Sequence, residues 1–124
     1  MSVIDSYRRG WALRQLREAK AELTAAQLNR DMARELIFNA TRKAQSAIYH
    51  SLGNPASITT IVQQNISEEN LTEDPILKSL VEIEKSVQWI ASLPSSSKNA
   101  MTVAENIIQV ASEIVKLFTN EPDD

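Results

Sequence analysis

Cysteine is absent from this 124-residue chain, which excludes a disulfide scaffold and a thiolate metal site. Histidine occurs once, at position 50, so a zinc site or a Cys–His dyad within one chain is excluded as well. Two glycines and four prolines are too few for a β-sandwich, a collagenous repeat or a low-complexity linker. Gly10 and Gly53 stand alone, so no glycine-rich loop is present to cradle a phosphate. No apolar run approaches the roughly 18 residues of a membrane span, and residues 1–10 lack the apolar stretch of a signal peptide. The expectation is a cytoplasmic protein with no membrane association, metal or cofactor.

What the chain has in quantity is Ala, Leu, Ile, Glu, Gln, Arg and Ser in helical periodicity. Ala12, Leu16, Ala19, Leu23 and Ala26 recur in steps of four and three, predicting a helix over 6–28. Tyr7 and Trp11 extend that face by one turn and read as packing residues. Asn29 to Asp31 is a polar break, after which Ala33, Ile37, Ala40, Ala44 and Ala47 form a seam of mostly small residues over 32–52. The segment Gly53-Asn54-Pro55 stops that helix, with Gly53 expected in a left-handed terminal position.

Residues 54–74 read as a short helix followed by a loop. Asp74-Pro75 has the order of an N-cap and first helical residue, and Ile76, Leu80, Ile83, Val87 and Ile90 define a helix face over 75–93. Ser95 to Ser97 supply the cap for the last helix, 97–118, and 119–124 read as a frayed tail. That last helix repeats one order three times: Ala100, Met101, Val103, Ala104; Ile107, Ile108, Val110, Ala111; Ile114, Val115, Leu117, Phe118. Four apolar positions in seven exceed the roughly three that cover one side of a core. The excess predicts a subunit interface through Ile107, Ile108, Ile114, Val115 and Phe118, and hence a homodimer. The fold expected is a single all-α domain over 1–124, an up-down antiparallel four-helix bundle with room for a short extra helix between the second and third.

Charge divides the chain. Residues 1–50 hold nine Lys/Arg against five Asp/Glu, and residues 51–124 hold four against eleven. All seven arginines lie in the first part. Either the two halves complement each other, within the bundle or across a dimer, or the first two helices present a face to an anion such as a nucleotide or RNA. Arg34, Arg42 and Lys43 are the candidate anion-binding residues. His50 is the one side chain with an ordinary pKa near neutrality, and so the weak candidate for general acid–base work. Its plainer role is to interact with the end of its helix. Arg42 and Lys43 lie two turns upstream, roughly 11 Å along the axis, too far for one intrahelical site. The carboxylate pairs Glu68-Glu69, Glu73-Asp74 and Glu82/Glu84 lack a histidine partner and read as solvated faces and caps.

The stretch from Leu13 to Leu23, the break at Asn29-Arg30-Asp31 and the stretch from Ala33 to Ile48 resemble HEPN-type domains over about forty residues. The resemblance implies a small dimeric helical bundle. Many members are metal-independent ribonucleases with an arginine, four to six residues and then a histidine near the start of a late helix. Here seven residues separate Arg42 from His50, the histidine lies on the second helix, and no arginine follows Arg42. The resemblance therefore implies a non-catalytic branch: a partner of a nucleotidyltransferase, or a nucleotide- or RNA-binding module. A purely structural protein and an atypical ribonuclease using His50 are the alternatives.

Overall fold

The computed structural model describes residues 6–68 and 73–119. Among them every regular element is helical: α1 (Ser6–Leu28), a 3-10 turn (Arg30–Met32), α2 (Ala33–Leu52), α3 (Pro55–Glu68), α4 (Pro75–Ser92) and α5 (Lys98–Thr119). The protein is all-α, with five α-helices where the spacing alone predicts four and a short extra one. Of the stretch 54–74, read as a short helix followed by a loop, Pro55–Glu68 is helix and 69–72 lie outside the described residues; of the tail expected over 119–124, Thr119 still belongs to α5 and 120–124 lie outside the described residues.

Polar side chains start these helices where the sequence offers them. Asp74 Oδ1 accepts from the amides of Ile76 (2.9 Å) and Leu77 (3.2 Å), with Pro75 as the first helical residue. Ser97 Oγ accepts from Ala100 N at 3.1 Å, and Asn29 Oδ1 accepts from Met32 N at 3.4 Å. Each bond satisfies an amide that a helix start leaves without a carbonyl. Asn54-Pro55 both stops α2 and opens α3, Asn54 Oδ1 accepting from Ser57 N at 3.1 Å.

Gly53 is not left-handed, as expected from the sequence, but extended, with φ 170°. Its amide donates to Tyr49 O at 3.0 Å. A Cβ here would meet Ile58 at 3.5 Å and Arg8 at 3.9 Å, which are ordinary contacts. Gly53→Ala is therefore expected to match the parent in urea unfolding or exceed it by up to about 1 kcal/mol. A loss of comparable size would contradict the extended geometry.

The α1 stripe Ala12, Leu16, Ala19, Leu23 and Ala26 is buried, and so is the α2 seam Ala33, Ile37, Ala40, Ala44 and Ala47. Small side chains on both faces let the two helix backbones approach closely along their length. The two run antiparallel. Trp11, early in α1, stacks on His50, late in α2, while Glu18 and Glu22 reach Lys43 farther back along α2. Helix α2 is the centre of the molecule and packs on all four other helices. Helix α4 runs antiparallel to it, since Arg34 reaches the last carbonyls of α4 and Arg42 reaches Glu84 in its middle.

Leu80, Ile83, Val87 and Ile90 of α4 are buried as the periodicity predicts. Ile76 is not; it is 54% exposed. It sits in the first turn of α4 and lines an apolar groove of about 390 Å³ with Ile58, Ile61, Leu77 and Phe118, so it borders the core instead of filling it.

Candidate functional site

Arg34, Arg42 and Lys43 all lie on α2 but do not converge. Arg34 Nε donates to Leu93 O and its Nη2 to Ala91 O at 3.2 Å, so a guanidinium closes the C-terminal end of α4. That end carries carbonyls without helical partners and a partial negative charge, which a cation satisfies. Arg42 also faces α4, whereas Lys43 faces α1. Lys43 Nζ donates to Glu22 at 2.7 Å and Glu18 at 3.0 Å. Glu22, then Glu18, hold its ammonium above the ordinary lysine range, and Lys43, then Arg14, hold the Glu18 carboxyl below its ordinary value. The three candidate anion-binding residues are thus not brought together. Their charge is already matched within the chain, and for Arg34 and Arg42 the matching partners lie in the acidic half.

Arg42 belongs to a polar network between α2 and α4. Its Nη1 donates to Gln45 Oε1 (2.7 Å) and Glu84 Oε1 (3.0 Å). Gln45 Nε2 donates to the same Glu84 oxygen (2.6 Å) and to the Tyr49 hydroxyl (3.1 Å), while Gln88 Nε2 donates to Glu84 Oε2 (2.8 Å). Glu84 is only 3% exposed. Burial pushes its carboxyl upward, but the bonds from Gln45 and Gln88 and the Arg42 charge outweigh that and leave it below the ordinary value. Burial, followed by the Glu84 charge, pushes the Tyr49 hydroxyl up to about 12. Both carboxylate oxygens are occupied by donors, so Glu84 is arranged to hold two helices together and not to exchange a proton.

Glu84, expected with Glu82 on a solvated face, is instead buried, and the periodicity carries a signal of it. Leu80, Glu84 and Val87 are spaced i, i+4, i+7, which turns a carboxylate inward among core residues. Gln45 and Tyr49, also four apart, gave no sign of which helix they would meet.

His50 points toward α1, away from Arg42. Its Nδ1 lies 2.8 Å from Ser46 O, so that nitrogen carries a proton and donates to its own helix. Its ring lies nearly parallel to Trp11, at 6.2 Å between centroids and 23° between planes. Trp11 also meets Tyr7 edge to face at 6.3 Å and carries the Arg14 guanidinium 5.2 Å from its ring centre. Tyr7, read from the sequence as packing, is 72% exposed because it occupies the first turn of α1, beyond the core stripe.

The five interface candidates of α5 divide in the same way. Ile107, Ile108 and Val115 are buried in the chain's own core, whereas Ile114 and Phe118 are half-buried. With Ile114, the half-buried Val103 and Val110 and the 73% exposed Leu117 make a second apolar seam on α5. A groove of about 280 Å³ opens between this seam and α4, where Val103 and Val110 face Ser79, Glu82 and Ser86.

Among the described residues no group of three or more His, Cys, Asp or Glu could hold a metal ion, and no helix is long and apolar enough to cross a membrane. No family model, curated protein or solved structure matches this chain.

Proposed function

We propose that this chain is a non-enzymatic helical module that works as a homodimer and presents its first two helices to a partner. The observation that carries this reading is the second seam of α5. Val103, Val110 and Leu117 repeat every seven residues, with Ile114 between the last two, the spacing of a helix–helix seam. The first seam already fills the core, and α4 leaves much of the second uncovered. A second copy fits it because the seam has the same apolar character on either side of Val110, so two copies can meet antiparallel. Lys78 and Glu82, exposed and one turn apart on α4, are likewise self-complementary about a two-fold axis.

The alternating directions of α1, α2, α4 and α5 support an up-down four-helix bundle to which α3 is added. Phe118 late in α5 and Leu77 early in α4 line one groove, the arrangement of an antiparallel pair. The HEPN-type resemblance of α1 and α2 belongs to the same proposal, with a nucleotidyltransferase or a nucleotide as the partner class. The ribonuclease alternative has less support, since His50 turns to α1 and Arg42 to α4.

Light scattering coupled to size exclusion tests the reading. A dimer is expected at micromolar concentration, and Val110→Asp is expected to give a monomer of unchanged helicity. A monomeric parent, or a dimer that Val110→Asp leaves intact, would remove the proposal.

A further inference from the structure

We infer that Tyr7, Trp11 and Arg14 form a binding site for single-stranded nucleic acid, in which a base stacks on the exposed aromatic edge and Arg14 takes a phosphate oxygen. The inference does not rest on self-association. The three residues stand at i, i+4 and i+7, so they share one stripe of α1. His50 backs the stripe from α2. Its ring lies against Trp11, and its bond to Ser46 O fixes the ring's orientation, making it a positioning residue.

The rings form a short ladder. His50 to Trp11 and Trp11 to Tyr7 are separated by 6.2 and 6.3 Å, and the ladder ends at Tyr7, whose ring is open to solvent. A base has a π face whatever its sequence, so an exposed ring at the end of such a ladder binds bases without selecting among them. Arg14 supplies the second half of the chemistry. Its Nε donates to Glu18 at 2.9 Å, which holds the guanidinium in place. Its two Nη groups take no hydrogen bond among the described residues, and a fork of this kind suits phosphate.

A chain carrying Trp89→Phe leaves Trp11 as the sole tryptophan. Its emission is titrated with a twelve-nucleotide oligouridylate at 50 and 300 mM salt, with polyglutamate as a control of equal charge and no base. Saturable quenching is expected, weakening about tenfold or more at the higher salt. Tyr7→Ala and Arg14→Gln in the same background are each expected to weaken binding by about tenfold while circular dichroism stays at the parent's value. The inference is overturned if oligouridylate does not quench, if polyglutamate quenches equally, or if both variants bind as the parent does.

Discussion

Val115→Asp is expected to collapse the fold, while Leu117→Asp two residues later leaves it intact. Both side chains belong to the same apolar repeat in the sequence, yet Val115 is 0% exposed and Leu117 is 73% exposed. A carboxylate at position 115, where the side chain is fully buried, would be cut off from water, a cost above about 4 kcal/mol when it goes unpaired. A domain of this size holds roughly 5–15 kcal/mol in total, so the loss is a large share of its stability. Thermal unfolding followed by circular dichroism should show the Val115→Asp midpoint lower by more than about 10 °C. Leu117→Asp should melt close to a monomeric parent, its effect confined to self-association. Equal melting of the two variants would refute the division of α5 into an inner and an outer seam.

Arg42→Ala is expected to lower stability by about 2 kcal/mol. Glu84 is buried, and losing Arg42 leaves it, among the described residues, with the Gln45 and Gln88 amides and no paired cation. Breaking a buried ion pair costs more, roughly 3–5 kcal/mol, but the Arg42 side chain is 43% exposed and water screens part of the interaction. If Arg42 served only an external ligand, its removal would leave the urea midpoint unchanged.

The same network sets an acid dependence. A carboxyl lowered by folding contributes stability that is fully present above its ordinary value of 4.5 and is lost as the pH falls through its lower folded value. Glu84→Gln removes that contribution. The stability gap between parent and Glu84→Gln should therefore narrow as the pH is taken below 4.5. Arg42→Ala should move the acid limb of its own unfolding curve to higher pH, because the cation that favours the ionised carboxylate is gone. A gap that stays constant down to pH 2.5 would show that Glu84 carries no such linkage.

The helices were legible because their signals are local. A cap at Asp74 or Ser97, a proline at position 75 and a stripe such as Ala12, Leu16 and Ala19 depend on residues within one or two turns. Ile76 departed from its stripe for a reason no stripe contains: the neighbouring helices stop covering α4 at that end. Arg34, Arg42 and Lys43, the candidate anion-binding residues, are not brought together for a related reason. Adjacent positions 42 and 43 lie about 100° apart around a helix, so Arg42 turns toward α4 and Lys43 toward α1.

The sequence by itself determined the helical class, where the main helices begin and end, and the small-residue faces that join α1 to α2, since each follows from periodicity and capping chemistry. Tertiary structure decided which of the two seams of α5 faces inward, which cations are already matched by Glu18, Glu22, Glu84 and the end of α4, and that His50 meets Trp11. These are contacts between residues far apart in the chain, 59 positions for Arg34 and Leu93 and more for α1 against α5, and no local pattern fixes which helices become neighbours.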